Sequence, residues 1–136
     1  MRIERVDDIS EIMKCLPFEQ EIRKRGREDR RESDTILFIH TQLANPMFSF
    51  LMVYDDDDNV IGYAAGLISL APGMKFAYLI RLYAKTKEVK ESLLEYMSQY
   101  AKEFKIDRVQ ITVRKNIKAM QRYGFKVISV NMERRF

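Results

Sequence analysis

The chain has 136 residues, 46% apolar content and a net charge of +4 at pH 7, which predicts one folded domain over residues 1–136 and excludes a disordered chain. Its apolar runs are too short to span a bilayer, its N-terminus lacks the apolar core of a signal peptide, and its single cysteine excludes an intrachain disulfide. We therefore expect a cytoplasmic protein with no membrane partner. Because charges of both signs are interspersed, nucleic acid is not an expected partner either.

The first third of the chain predicts a short strand and two helices. Residues 2–6 alternate weakly, as a strand does, and Asp8 is a candidate N-cap for a helix that Pro17 is expected to end. The densely charged stretch 19–32 is interpreted as a solvated helix face or connection, with a basic lip for an acidic ligand as the alternative. A second helix is predicted over residues 35–44.

Three features of this sequence invite a catalytic or metal-binding hypothesis, and each has a simpler structural explanation. Cys15 has no histidine near it in sequence and is expected to be a partly buried packing residue. His40, the only histidine, has no ligand residue at metal-binding spacing. The acidic run 55–59 would need glycine in place of Val60 and glutamate in place of Gly66 to form a calcium loop. We predict a solvated hairpin turn there and no metal site.

The middle of the chain predicts three strands joined by turns, over residues 48–54, 60–70 and 76–84. The third strand of the chain, 60–70, is unusually slim because two glycines and two alanines fall between Gly62 and Gly66. Its backbone must therefore be approached closely by a neighbouring element or by a ligand.

The stretch 75–104 is predicted to be the centre of the fold. An almost wholly apolar strand, typical of one covered on both faces, leads through a break at 85–87 into a long amphipathic helix. Such a break can offer backbone N–H groups to an anion. A strand over 107–114, parallel to the strand before the helix, a short helix from Asn116 to Gly124 and a final strand over 126–136 complete the prediction.

This element order resembles the GNAT acyltransferase superfamily over essentially the whole chain. The local likenesses are Ile61-Gly62 at the third strand, the strand LIRLYAK running into the amphipathic helix, and Asn116, Ala119 and Gly124-Phe125 near the C-terminus. The resemblance implies an α/β fold with a mixed, mostly antiparallel sheet, a parallel pair at its centre and helices on both faces.

The resemblance also implies a chemistry, in which acetyl-CoA lies between the fourth and fifth strands and an amine-bearing substrate attacks its thioester. The residues that it assigns are Leu82, Tyr83 and Ala84 for the pantetheine arm and the thioester carbonyl, Lys85 and Lys87 for the phosphates, Asn116 for the pantetheine end, and Tyr123 as the catalytic acid.

The chain departs from the family pattern at the expected cofactor loop. The segment KTKEVKES, 85–92, contains no glycine and is shorter than the family's phosphate loop, and Met120 stands where the family has its tyrosine. A second hypothesis is therefore a non-catalytic GNAT-like domain that binds a protein partner or forms a homo-oligomer, such as a phage accessory protein or virion component. Coenzyme A binding distinguishes the two hypotheses.

Overall fold

The computed structural model describes residues 1–26, 32–113, 117–129 and 132–135. A 3-10 turn, Met13–Cys15, joins the first two helices of this part of the chain. Its elements are, in order, β1 (Arg2–Arg5), α1 (Ile9–Ile12), α2 (Leu16–Gly26), α3 (Glu32–Gln42), β2 (Phe48–Tyr54), β3 (Val60–Ala71), β4 (Met74–Ala84), α4 (Lys87–Glu103), β5 (Val109–Ile111) and α5 (Ile117–Gln121). None of the helices in these ranges combines the length and the hydropathy that a bilayer-spanning segment needs.

The five strands form one sheet in the order β1-β2-β3-β4-β5. Neighbouring strands are antiparallel from β1 to β4, and β5 runs parallel to β4, with Ala77 opposite Val109 and Leu79 opposite Ile111. The predicted mixed α/β sheet and the parallel crossover through α4 are confirmed. The parallel pair, however, lies at one edge of the described sheet and not at its centre.

The expected final strand is the reason for this difference, because residues 126–129 and 132–135 form no strand. Val127 and Ile128, which would point to opposite faces of a strand, are 59% and 62% exposed. Apolar residues on both faces do not select one buried face, and so they do not specify a pairing register. In the described part of the strand predicted over 107–114, residues 107–113, β5 covers Val109–Ile111 and is shorter than expected, while residue 114 lies outside the described residues.

The first helical segment begins as predicted but continues further than predicted. Asp8 is the N-cap of α1, and its Oδ1 accepts a hydrogen bond of 2.9 Å from the backbone N–H of Ser10. Pro17 does not end the helix, because it lies in the first turn of α2, where a missing N–H removes no helical hydrogen bond. The next helix, α3, begins at Glu32, three residues before the predicted start.

Helix α4 packs on one face of the sheet and the segment from α1 to α3 packs on the other. The close approach predicted at the slim strand is made by α4: a Cβ at Gly62 would lie 2.5 Å from Cγ1 of Val89, and a Cβ at Gly66 would lie 2.1 Å from Cε of Met97. The α4 side of the core is formed by Leu51, Val53, Ala64, Ile68, Ala77, Leu79, Val89, Leu93, Met97, Tyr100, Ala101 and Ile106.

A β-bulge in β4 divides this strand into two halves. Ala65 of β3 lies opposite Arg81, whereas the next residue, Gly66, lies opposite Leu79, so Ile80 is an extra residue on β4. The extra residue changes which side chains face which layer. Leu79 belongs to the α4 side of the core, whereas the side chain of Arg81 reaches a residue of α2 on the opposite face.

Candidate functional site

The C-terminal half of β4 has a free edge among the described residues. Pairing with β5 ends at Leu79 and Ile111, so β4 from Ile80 onward is hydrogen-bonded to a strand on its β3 side alone within this part of the chain. A strand edge of this kind presents backbone N–H and C=O groups that an extended ligand can pair with.

The direction of these backbone groups follows from the alternation of an antiparallel ladder. The N–H of Lys85 donates to the carbonyl oxygen of Ile61 on β3 at 3.0 Å. The backbone N–H and C=O groups of Tyr83, two residues earlier, therefore also face β3, while those of Leu82 and Ala84 face the free edge. Of the three backbone positions predicted to bind pantetheine, Leu82 and Ala84 direct their N–H and C=O groups to the free edge and Tyr83 directs them to β3.

The start of α4 follows this edge after a break of only two residues, Lys85 and Thr86. Thr86 is the N-cap, and its Oγ1 accepts a hydrogen bond of 3.3 Å from the N–H of Val89. One of the amides that could contact an anion is thus already used within the helix. The N–H groups of Lys87 and Glu88, in the first turn, donate to no side-chain cap among the described residues.

The two lysines predicted to bind phosphates point to different places. The Nζ of Lys85 lies 5.3 Å from the ring centroid of Phe18, which belongs to α2. The Nζ of Lys87 stays on α4, 3.8 Å from Oε1 of Glu91, in an exposed i,i+4 ion pair. Lys87 is therefore near the helix start, whereas the charge of Lys85 is directed to the α2 side of the sheet.

The remaining predicted site residues lie near the C-terminal end of the described chain. Tyr123 follows α5, and its ring centroid is 5.8 Å from Nζ of Lys90, one turn beyond the start of α4. Tyr123 also lines a groove of about 1360 Å³ between α4, β5 and the residues after α5. Asn116 lies outside the described residues. Tyr123 is thus beside α4, while Leu82, Ala84 and Lys85 do not line this groove.

On the α2 side of β4, Glu19 makes a buried polar network that the sequence interpretation missed. Glu19 is only 1% exposed, its Oε1 accepts hydrogen bonds from the Tyr63 hydroxyl at 2.7 Å and from Nε of Arg81 at 2.9 Å, and its Oε2 pairs with Nη2 of Arg81. The expected solvated face is therefore wrong at this residue. Two signals could have revealed it: Arg81 is an isolated charge in an apolar strand, and Glu19 continues the helical spacing of the buried residues Ile12 and Cys15.

The same network explains the chemistry of its neighbours. Burial, and then the negative charge of Glu19, raise the pKa of the Tyr63 hydroxyl well above its usual value. Burial, followed by the charges of Glu19 and Glu11, likewise raises the pKa of the Cys15 thiol. Cys15 is 1% exposed, so it is a packing residue as predicted, although it is buried more completely than expected.

An aromatic cluster lies directly over this network. The ring of Tyr83 stacks on Phe18 at a centroid distance of 4.9 Å and on Tyr63 at 5.3 Å. The Tyr83 hydroxyl lies 3.5 Å from Oε2 of Glu21. The wall that faces the C-terminal half of β4 from the α2 side is therefore aromatic, with a carboxylate at its rim.

The features that first suggested metal binding are structural in the described ranges. The acidic run forms the predicted hairpin turn, in which Oδ1 of Asp55 accepts hydrogen bonds from the N–H groups of Asp57 and Asn59, each at 2.9 Å. His40 is exposed on α3. Within the part of the chain that the structure covers, no three histidine, cysteine or acidic residues are grouped to hold a metal ion.

Comparison with known proteins identifies the fold. No protein-family model and no curated protein sequence matches the chain. Solved structures match over nearly their whole length. A predicted acetyltransferase from Clostridium acetobutylicum, solved with acetyl-CoA, has a TM-score of 0.76 at 14% identity and is matched over 95% of its chain and 98% of this one.

Two further matches have stated activities. An aminoglycoside 6'-N-acetyltransferase from Acinetobacter haemolyticus has a TM-score of 0.74 at 18% identity, with 99% of its chain and 100% of this one covered. A ribosomal-protein-alanine N-acetyltransferase from Brucella melitensis has a TM-score of 0.71 at 12% identity, with both chains covered in full. The chain therefore has the GNAT acetyltransferase fold, and the predicted resemblance is confirmed at that level.

Proposed function

We propose that the protein is an acyl-CoA-dependent N-acyltransferase that binds acetyl-CoA along the free edge of β4. The observation that carries this proposal is the orientation of the backbone groups of Leu82 and Ala84 toward an edge that no described strand covers. Pantetheine contains two amide groups, and it can pair with such an edge as a peptide strand does. The solved relative with acetyl-CoA supports this choice of ligand.

The residues present fit the pantetheine arm better than they fit the phosphates. At the start of α4, the amides of Lys87 and Glu88 and the ammonium of Lys87 suit an anion. The Thr86 cap and the carboxylates of Glu88 and Glu91 oppose it. We therefore expect weak, salt-dependent binding of coenzyme A, in which point charges replace a cradle of amides.

When it is bound, acetyl-CoA supplies an activated acyl group, so the chain's own task is mainly orientation. In this proposal, the backbone N–H groups of Leu82 and Ala84 at the free edge would hold the acyl carbonyl oxygen by hydrogen bonds. The amine substrate approaches from the α2 side, where Phe18 and Tyr83 form an aromatic wall with Glu21 at its rim. Tyr123 remains the proposed acid, and its replacement by Phe tests that role.

The second candidate function is a GNAT-fold domain that binds a protein partner or a second copy without catalysis. The observation that favours it is the Thr86 cap, which uses a helix-start amide internally. This function predicts no binding of coenzyme A and a stable oligomer or complex. An acyltransferase would be a cytoplasmic protein in this proposal, whereas the non-catalytic domain could instead be a virion component.

The test is a calorimetric titration of the purified protein with coenzyme A and acetyl-CoA, together with thermal unfolding at millimolar ligand. A ligand that binds the native state must raise the unfolding temperature. Absence of both heat and stabilisation would refute the acyltransferase proposal, and mass measurement in solution would then test the assembly proposal.

Two matched variants locate the phosphates. Lys87→Ala should weaken coenzyme A binding about threefold to tenfold at low salt, with a smaller effect at high salt. Lys85→Ala makes the same chemical change two residues away. Because the ammonium of Lys85 is directed to Phe18 and not to the start of α4, this variant should have little effect on coenzyme A binding. Unchanged affinity in Lys87→Ala would place the phosphates away from the start of α4, and an equal loss in both variants would show that Lys85 also reaches them.

A further inference from the structure

The buried ion pair between Glu19 and Arg81 joins α2 to the C-terminal half of β4. The side chain of Glu19 is 1% exposed and that of Arg81 is 15% exposed. Both carboxylate oxygens are engaged, because Nε of Arg81 lies 2.9 Å from Oε1 and 3.1 Å from Oε2, while Nη2 also pairs with Oε2. The Tyr63 hydroxyl adds a further hydrogen bond to Oε1 at 2.7 Å.

Stability alone does not explain such a pair. Removing two charges from water costs free energy that their attraction often only offsets, and well-packed apolar residues of similar volume frequently give an equally stable or more stable protein. What an arginine fork on a carboxylate provides in addition is a defined geometry. The ion pair can therefore hold β4 and α2 in a defined relative position, which an apolar pair would not do.

The place of the pair in the sheet indicates what it positions. The bulge at Ile80 turns the side chain of Arg81 to the α2 face, immediately after pairing with β5 ends at Leu79. Beyond this point β4 is held by the β3 ladder on one edge, and the Arg81 side chain ties it to α2. The next residue, Leu82, is the first whose backbone groups face the free edge.

From this arrangement we infer that Glu19, Arg81 and Tyr63 form a positioning network that sets the direction of the backbone donors at Leu82 and Ala84. The inference rests on the proposed function insofar as those donors serve acyl-CoA. Glu19 acts through Arg81 and not on the substrate, because its two oxygens are already engaged by hydrogen-bond donors. It is a positioning residue and not the catalytic base.

The decisive variant is Glu19→Met combined with Arg81→Leu, which keeps the volume and removes the fork. We expect it to fold with an unfolding temperature somewhat below that of the wild type, because the apolar pair offsets the loss of the ion pair but the buried Tyr63 hydroxyl loses its acceptor. Its dissociation constant for coenzyme A should rise about fivefold to tenfold, the effect of losing one well-aligned hydrogen bond. Unchanged affinity in this folded variant would overturn the inference, because the pair would then be replaceable packing.

Two milder variants keep the inference testable if the double variant does not fold. Arg81→Lys keeps the charge but loses the fork, and it should weaken binding to an intermediate extent. Tyr63→Phe removes only the hydroxyl, and it should weaken binding about twofold to threefold. A Lys or Phe variant that is folded and binds like the wild type would count against a positioning role.

Amide hydrogen exchange separates this inference from the proposed function. If the wild type does not bind coenzyme A, the proposed function fails, but the amides of Tyr83 and Lys85, which face β3, still report how firmly the end of β4 is held. In the double variant, or in Arg81→Lys, they should exchange at least about tenfold faster, while the amide of Leu51 on β2 is unchanged. Equal rates at Tyr83 and Lys85 would overturn the positioning role.

Discussion

Replacing Gly62 by alanine should destabilise the protein far more than the same change at Gly66. Both glycines lie on β3 beneath α4, and an added methyl group meets the helix at both positions. What differs is the atom that it meets. At Gly62 it would lie 2.5 Å from Cγ1 of Val89 and 3.0 Å from the backbone oxygen of Tyr83, whereas at Gly66 it would lie 2.1 Å from Cε of Met97.

The size of each effect follows from how easily these atoms move. Val89 is β-branched with essentially one rotamer in a helix, and the carbonyl of Tyr83 is fixed in the sheet, so relief requires a shift of α4 or β4. Overpacking of this kind costs about 2–3 kcal/mol. Met97 meets Gly66 with the end of a flexible side chain, so that cost should be about 1 kcal/mol or less. Lower entropy of the unfolded chain offsets about 0.4–1 kcal/mol of either cost.

The assay is urea unfolding of the wild type, the two single variants, Val89→Ala and the Gly62→Ala/Val89→Ala double variant. Val89→Ala removes two methyl groups and should cost about 1.5–2.5 kcal/mol alone. Because the cavity that it leaves accepts the new methyl group, the double variant should be more stable than the sum of the two costs by at least about 1 kcal/mol. The contact with the Tyr83 oxygen should prevent complete rescue.

Two results would refute this reasoning. If Gly66→Ala costs as much as Gly62→Ala, the distinction between a stiff and a flexible neighbour is wrong. If the effects of Gly62→Ala and Val89→Ala simply add, the two residues are not in the close contact that the structure shows.

Three further predictions concern the thiol and the helix starts. Cys15 should react with a thiol reagent at least about a hundredfold more slowly in the native protein than in denaturant, because burial raises its pKa and excludes the reagent; rapid native reaction would contradict this. The side-chain hydrogen bond of Ser10, and then its backbone hydrogen bond, lower the pKa of Asp8. In thermal unfolding, Asp8→Ala should therefore be less stable than the wild type at pH 7, and this difference should vanish as the pH falls through the lowered pKa, below about pH 4. A stability difference that does not change with pH would exclude this cause. Thr86→Ala should lower the unfolding free energy by about 1 kcal/mol, and Thr86→Gly should lower it by only a few tenths. Because Thr86→Gly frees the Val89 amide, this variant should bind coenzyme A more tightly in calorimetry. Weaker binding would exclude this helix start as the phosphate site.

The sequence by itself determined the order of the strands from β1 to β5 and the scaffold around α4. Its stripe of apolar residues at spacings of three and four predicted the helix, and five of those residues are buried on the sheet. The N-cap at Asp8 and the turn at Asp55 were predictable for the same reason, since each depends on side chains bonding to backbone within a few residues. Local periodicity and local hydrogen bonding are fully present in the one-dimensional chain.

Helix ends and strand membership were less predictable because they depend on partners elsewhere. Pro17 was expected to end a helix, but a proline is equally suited to the first turn of the next one. The slim strand required a close neighbour, and only the structure shows that this neighbour is α4. Residues 126–129 were expected to pair as the start of a strand over 126–136, but pairing also needs a neighbouring edge and one defined buried face.

What only the tertiary structure decided is the character of the candidate site. A single extra residue at Ile80 reverses the faces of the following side chains, so Arg81 meets Glu19 across a sequence separation of 62 residues. The same bulge leaves the backbone of Leu82 at a free edge. A bulge has no periodic signature, and a buried ion pair requires two distant residues to meet, so neither can be derived from the pattern of β4 alone.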